Sequence, residues 1–194
     1  MMKLFKNEDA FTGLEAAIVL IAFVVVAAVF SYVMLGAGFF ATQQAQQVVH
    51  TGSQQASSSL EIIGNIYGHA TTTAKLDSIE FTVGNTAGGT PIDISQMLVT
   101  FTSGTTSDVI ARSVDWYNLT PAKGEWAVIE TYNDIGEQNH LLEPGEQFVL
   151  KIVFPSEVTL APYTEFTVNL QPAVGAVYPI KKTVPAYLND VNIL

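Results

Sequence analysis

The first sixty residues contain a long, continuous run of apolar and small side chains. From Ala16 to Leu60 the chain has no Asp, Glu, Lys or Arg, and its first part, Ala16–Ala41, is almost wholly apolar. A helix needs about 20 such residues to cross the hydrocarbon core of a bilayer. A buried strand is much shorter than this run. The pattern therefore predicts a helix that can span a membrane.

The helical pattern continues where the hydrophobicity falls. No proline interrupts the chain before Pro91. We predict a single helix from about Phe11 to Ile63, followed by a linker over residues 64–74. Such a helix is roughly 80 Å long at about 1.5 Å per residue, which exceeds the thickness of a bilayer. Small or apolar residues recur at intervals of three and four along one face, namely Ala45, Val48, Val49, Gly52, Ala56, Leu60 and Ile63.

After about Lys75 the pattern changes to alternation of apolar and polar positions. Seven or eight short strands separated by Gly and Pro turns are typical of an antiparallel β-sandwich. The predicted fold class is α+β, with a long N-terminal hydrophobic helix followed by an immunoglobulin-like sandwich over residues 75–194. The predicted strands are Ile79–Val83, Ile92–Phe101, Asp108–Arg112, Glu125–Tyr132, Phe148–Phe154, Phe166–Leu170 and Ala176–Val184.

The composition excludes several classes of function. The 194 residues carry 18 acidic and 8 basic side chains, a formal net charge of −10, and no cysteine. Nucleic-acid binding relies on clusters of Lys and Arg, so we predict no nucleic-acid partner. Without cysteine there are no disulfides, thiolate metal sites or cysteine nucleophiles.

The sequence contains no constellation typical of an enzyme. His50, His69 and His140 are far apart and share no ligand spacing, and no Gly-x-Ser-x-Gly elbow is present. We therefore predict no catalytic residue, metal site or cofactor. Two acidic groups do not match the spacing of a calcium loop and are interpreted as solvated loop charge. These groups are Glu130, Asn133 and Asp134, and Glu143 with Glu146.

The residues before the apolar run are similar to those of a known family. Ala10–Glu15 reads AFTGLE and is followed by AAIVLIAF, which resembles the precursor of an archaeal flagellin (archaellin), a type IV pilin-like subunit. Leu142–Glu146 is also similar to the family. The resemblance implies that a prepilin peptidase cuts between Ala10 and Phe11 and removes a leader of residues 1–10. It also implies that the helices bundle in the core of a rotating filament, with immunoglobulin-like domains outside.

Glu15 is the acidic residue beside the apolar stretch, where an unpaired carboxylate is costly. Cleavage would create a positive amine at Phe11, four residues away, and in related pilins this Glu pairs with such an amine. The alternative is that Glu15 complements the helix macrodipole. Gly36 and Gly38 reduce bulk within the helix, either for close contact between helices or for a bend.

Asn118 begins the only Asn-x-Ser/Thr sequence in the chain, Asn118-Leu119-Thr120. Because archaellins are commonly N-glycosylated, the resemblance implies a glycan at Asn118 in an exposed loop. The alternative is that Asn118 is an ordinary turn residue.

Together these observations predict a structural subunit of an archaeal flagellum filament, used for swimming. Lys3 and Lys6 would hold the N-terminus of the precursor in the cytoplasm, with the sheet domain outside the membrane. Expected partners are further copies of the chain, the prepilin peptidase, and the motor and platform proteins of the archaellum. The alternatives are an archaeal adhesive type IV pilin, or a single-pass membrane-anchored β-sandwich that binds a surface partner.

Overall fold

A long helix precedes a domain built from strands. The computed structural model describes residues 8–57, 59–86, 90–136 and 138–194. The chain divides into two compact units, Met1–His50 and Thr51–Leu194. Helix α1 spans Glu8–Ser57, which is 50 residues and therefore about 75 Å at about 1.5 Å per residue. The prediction of a long apolar helix followed by an antiparallel-rich sheet domain is confirmed.

The predicted end of the helix is wrong. Helix α1 ends at Ser57, not near Ile63, and the segment placed at the helix end and in the 64–74 linker is largely strand β1, Leu60–His69. Serine side chains compete with the helix backbone for hydrogen bonds, so the Ser57–Ser59 run favours an end here. The β-branched Ile62 and Ile63 then favour an extended chain.

Strand β1 becomes part of the sheet through its pairing with β2 and β11. Leu60 and Ile66 are buried in the hydrophobic core. Two extra residues in β1 shift the register between Ile63 and Tyr67. Gly64 lies in this bulge with φ of +83°, a conformation that glycine adopts without the steric cost of a Cβ atom.

Eleven strands are present in the described residues, most of them at the predicted places. The predicted strand Ile92–Phe101 is interrupted, because Asp93 caps a short 3₁₀ turn, Ile94–Gln96, by accepting a hydrogen bond from the Ser95 N–H. The bounds after β1 are β2 Ser78–Asn85, β3 Ile92–Asp93, β4 Leu98–Ser103, β5 Thr106–Tyr117, β6 Glu125–Tyr132, β7 Leu141–Leu142, β8 Gln147–Val153, β9 Glu165–Gln171, β10 Tyr178–Thr183 and β11 Val191–Ile193.

Nine of these strands form one continuous sheet in the order β10-β9-β4-β5-β6-β8-β2-β1-β11, and β3 pairs with β7. The long β5 belongs to both halves of the sheet. Its first part pairs with β4 in antiparallel fashion and its second part pairs with β6 in parallel. The β5–β6 pair is the exception to the predicted antiparallel arrangement.

The two halves of the sheet enclose one hydrophobic core. The ring of Phe101 on β4 lies 5.1 Å from that of Phe154, which follows β8. Phe166 on β9 packs edge-on against Phe154 at 5.7 Å. Trp126 on β6 is also fully buried. Burial of each such aromatic ring stabilises the fold by about 1.5–3 kcal/mol, so the domain has a substantial core without disulfides.

Candidate assembly surfaces

Helix α1 exposes its apolar side chains over its whole described length. None of the residues in Gly13–Ser53 is buried, and this segment is long and apolar enough to cross a membrane. Phe23 is 73% exposed and Tyr32 is 80% exposed. Exposed apolar area of this extent indicates a surface that another molecule covers. A bilayer or the helices of other copies can provide that cover.

The predicted processing site lies at the start of this helix. The backbone of Ala10 and Phe11 is within α1, but their side chains lie outside the described part of the chain. Glu15 is exposed and lies four residues after Phe11, on the same face of the helix. Cleavage between Ala10 and Phe11, and the pairing of Glu15 with the new amine, therefore stay predictions.

Gly36 and Gly38 lie in the middle of α1 with open space around them. A Cβ atom added at either position would meet no atom within 4 Å. One turn after Gly38, the Thr42 hydroxyl donates a hydrogen bond to the Gly38 carbonyl at 2.8 Å. Such back-bonding to the i−4 carbonyl often accompanies a slight bend, so both the close-contact role and the bend stay open for these glycines.

The three histidines lie in different environments. His50 is on α1, and His69 Nε2 lies 3.2 Å from Glu80 Oε2 on the sheet. The ring of His140 is 4.9 Å from that of Trp116. Within the described residues there is no group of three or more His, Asp or Glu side chains that could hold a metal ion.

Asn118 lies in a turn after β5 and is half-exposed. Its Oδ1 accepts a hydrogen bond from the Thr120 N–H at 3.0 Å, and its Nδ2 donates to the hydroxyl of Ser113 at 3.1 Å. Ser113 is buried in the β5 bulge. The amide is therefore oriented by two contacts, and its second N–H is the position at which a sugar could be attached.

The structure brings together two acidic residues that the sequence placed in separate groups. Glu146 is only 2% exposed, and its carboxylate accepts hydrogen bonds from the N–H groups of Ile135 and Glu143. Asp134 lies beside it. Partial desolvation, together with the charge of Glu146 and a hydrogen bond to it, raises the pKa of Asp134 above its usual value. The interpretation of Glu146 as solvated loop charge is therefore wrong, because no pattern in the sequence indicated that this residue is buried.

A second feature that the sequence did not indicate is a cleft of about 390 Å³ between three loops. We call it the lysine cleft, because Lys75 and Lys123 line its rim. Buried apolar side chains of Leu76, Phe154 and Val158 form its floor. The other lining residues are Thr71, Thr72, Asp77, Val153, Pro155 and Ser156.

The charge of Lys75 in this cleft is partly compensated. Its Nζ lies 3.6 Å from Oδ1 of Asp77, whose Oδ2 accepts a hydrogen bond from the Thr71 N–H at 2.7 Å. Burial raises the pKa of Asp77, but the Thr71 hydrogen bonds and the positive charge of Lys75 outweigh it and leave the pKa below its usual value. Asp77 is therefore held ionised between the loop and Lys75.

An exposed apolar helix joined to a separate sheet domain is the architecture of a type IV pilin-like filament subunit. The chain belongs to the archaeal-type flagellin family, since the family's model matches residues 10–182. It is 40% identical over 199 residues to probable flagellin 1 of Archaeoglobus fulgidus, covering 100% of this chain and 98% of that relative.

Solved structures of the family agree with the fold. The subunit in the archaeal flagellum of Methanospirillum hungatei strain JF1 is similar with a TM-score of 0.72 and 34% identity, over 94% of this chain and 99% of that one. The crystal structure of flagellin FlaB1 from Methanocaldococcus jannaschii shares the fold with a TM-score of 0.60 and 22% identity, over 70% of this chain and 96% of that one.

Proposed function

We propose that this protein is the structural subunit of an archaeal flagellum filament used for swimming. The observation that carries the proposal is the similarity over 94% of the chain to a subunit of an assembled archaeal flagellum. The uncovered helix α1 supports it, because copies of α1 packed in a filament core would bury the apolar surface. Membership of the flagellin family favours this function over an adhesive pilin or a membrane-anchored binding module.

The precursor is processed before it assembles. A prepilin peptidase removes residues 1–10 by cutting between Ala10 and Phe11, and α1 lies in the cytoplasmic membrane until that step. The new amine of Phe11 pairs with Glu15 of the same or a neighbouring chain, which neutralises a carboxylate next to the apolar core. The mature subunit then moves from lipid into the extracellular filament.

Packing between copies of α1 provides the contact that builds the filament. Lipid tails are as apolar as the helices, so the gain in free energy must come from close packing rather than from removal of water. Gly36 and Gly38 permit such an approach, since nothing in the single chain fills the space where their side chains would be. Further copies of the chain are therefore its main partner.

The subunit itself catalyses no reaction and binds no cofactor in this proposal. Motor and platform proteins of the archaellum supply ATP hydrolysis and rotation, and the subunit transmits the motion mechanically. A net charge of −10 keeps exposed sheet domains soluble and disfavours binding to nucleic acid. The half-exposed amide of Asn118 carries a glycan on the outside of the filament.

The first experiment is intact-mass measurement and N-terminal sequencing of the protein sheared from its native cells. A chain that begins at Phe11 and is recovered as filaments supports the proposal. A monomeric chain that still contains the leader contradicts it and favours the anchored binding module.

The role of Glu15 is tested by comparing the filaments of Glu15→Ala cells with those of Glu61→Ala cells. Both changes remove one exposed carboxylate, but Glu61 belongs to strand β1 and not to the apolar helix. We expect filaments to be lost only in Glu15→Ala, with the sheet domain still folded. Normal filament yield from Glu15→Ala would disprove the role in assembly.

A further inference from the structure

The loop that follows β6 presents an acidic and an apolar side chain together. This loop, which we call the acidic loop, is Asn133–Gly136. Asp134 is exposed, and Ile135 is 54% exposed although it is apolar. The backbone of the loop is anchored at Ile135, because buried Glu146 accepts a hydrogen bond from the Ile135 N–H at 2.7 Å. Pre-organised loops lose little conformational entropy when they bind.

The lysine cleft has the complementary properties. Its buried apolar floor can accept an aliphatic side chain, and its rim carries Lys75 and Lys123. Lys123 is exposed and makes no ion pair with any side chain in the described parts of the chain. Basic residues are scarce here, with 8 in the whole chain against 18 acidic ones. Because Asp77 partly compensates Lys75, Lys123 supplies the positive charge that an acidic segment of a partner can pair with.

The acidic loop and the lysine cleft of one chain cannot meet each other. Lys123 lies just before β6 and Asn133 just after it. The 8 residues of β6 separate them by about 25 Å at roughly 3.3 Å per residue. The two features thus lie at opposite ends of the same strand. An interaction between them must join two different subunits.

We propose that the acidic loop of one subunit docks into the lysine cleft of the next subunit in the filament. Asp134 pairs with Lys123, and the side chain of Ile135 rests on the floor formed by Leu76, Phe154 and Val158. The contact joins opposite ends of the sheet domain, so it is head-to-tail, and a head-to-tail contact repeated along a screw axis builds a filament. The inference rests on the proposed filament function and adds a second contact, between sheet domains.

Because the chain contains no cysteine, engineered cysteines give a direct test. Filaments of the double variant Lys123→Cys, Asp134→Cys are oxidised and run on a non-reducing denaturing gel. We expect a ladder of covalent multimers that disappears on reduction. Each single variant should stay monomeric, as should the control pair Lys181→Cys, Asp134→Cys, because Lys181 is exposed on β10 outside the cleft.

A charge exchange tests the same contact without cysteine. Lys123→Glu should reduce filament yield roughly tenfold, since like charges would then face each other. Adding Asp134→Lys to the same chain should restore the yield, whereas Lys181→Glu, which makes the same change in charge elsewhere, should leave it nearly unchanged. The unfolding temperature of the sheet domain is measured in each variant to verify folding.

The outcomes separate this inference from the proposed function. Filaments that form but give no ladder, or a Lys123→Glu defect that Asp134→Lys does not correct, would overturn the docking contact and leave the filament function intact. If the unmodified chain forms no filaments in its native cells, the proposed function fails first and the contact fails with it.

Discussion

Glu146 Oε1 accepts a hydrogen bond from the backbone N–H of Ile135 at 2.7 Å, and this contact connects a buried carboxylate to an exposed loop. The second oxygen, Oε2, accepts from the N–H of Glu143 at 2.9 Å. A buried carboxylate without water is costly unless its oxygens are hydrogen-bonded. Here the two donors come from the segments on both sides of β7, so one side chain holds two loops in place.

Replacing Glu146 with Gln should destabilise the sheet domain by about 1–3 kcal/mol, because the amide NH₂ must face one of two N–H donors and leaves it unpaired. The free energy of unfolding is measured by urea denaturation at neutral pH. Glu157→Gln is the matched control, since Glu157 is exposed. Equal stability of the two variants would show that the carboxylate of Glu146 is not required for the loop structure.

Asp134→Asn should have a stability effect that depends on pH. Partial desolvation and the neighbouring carboxylate of Glu146 raise the folded-state pKa of Asp134 above its usual value, so ionisation disfavours the folded state. Stability is then highest below the unfolded-state pKa and falls as the pH rises through the folded-state pKa. The variant should therefore be more stable than the unmodified chain at pH 7, and the difference should disappear in acid.

Asp77→Asn should change stability with the opposite pH dependence from Asp134→Asn. Although burial raises it, the Thr71 hydrogen bonds and the positive charge of Lys75 leave the pKa of Asp77 below its usual value, so the ionised form contributes stability above the unfolded-state pKa. That contribution is lost as the pH falls through the folded-state pKa. Thermal unfolding of both variants across the same pH series checks the two signs. Parallel pH profiles for the two variants would contradict the assignment.

The spacing of apolar residues along the chain predicts those helices and strands in which local sequence alone determines which side chains are buried. In β8, Phe148, Leu150 and Ile152 alternate along the chain and are all buried. Helix α1 was found from its apolar length alone. Such elements can be predicted from sequence, because the side chains on one face of a strand, or on all faces of a long apolar helix, share the same environment.

Strand β1 was not predicted because its structure depends on partners far along the chain. Tyr67 pairs with Ile193 and Ile62 pairs with Val83, and neither pairing leaves a local signal. The lysine cleft and the contact between Asp134 and Glu146 could not be predicted from the sequence for the same reason. Lys75 and Lys123 come from different loops. Asp134 lies near Glu146 because β6 pairs with β8, with Tyr132 opposite Gln147. Tertiary contacts of this kind override local propensity.

Leu60 and Val48 were both predicted to lie on one face of a single helix, but the structure places them in different environments. Two substitutions distinguish these environments. Leu60 is buried in the core of the sheet domain, whereas Val48 on α1 is 66% exposed. Leu60→Ala should cost about 2–5 kcal/mol of unfolding free energy, because it removes buried methyl groups and leaves a cavity. Val48→Ala should change the unfolding of the sheet domain by less than about 0.5 kcal/mol. A similar cost for both would mean that Leu60 is not a core residue.

The bulge in β1 gives a prediction about backbone strain alone. Gly64 has φ of +83°, and a Cβ atom there would meet no atom within 4 Å. Gly64→Ala should therefore destabilise the sheet domain by about 1–2 kcal/mol through strain and not through a clash. Gly64→Asn should cost less, because Asn tolerates positive φ better than Ala does. A lower free energy of unfolding for Gly64→Asn than for Gly64→Ala would contradict backbone strain as the cause of the destabilisation.

The two roles of Asn118, as the proposed attachment site of a glycan and as a residue that stabilises a turn, can be tested separately. Thr120→Val removes the hydroxyl that completes the Asn-x-Ser/Thr acceptor but keeps the backbone N–H that donates to Asn118 Oδ1 at 3.0 Å. We expect intact-mass spectra to lose the glycan in Thr120→Val and to retain it in Thr120→Ser, with the fold unchanged in both. Asn118→Ala should lose the glycan and also the contacts to Thr120 and Ser113. A peptide containing Asn118 that has its unmodified mass in native filaments would refute the glycan, and the residue would then serve only the turn.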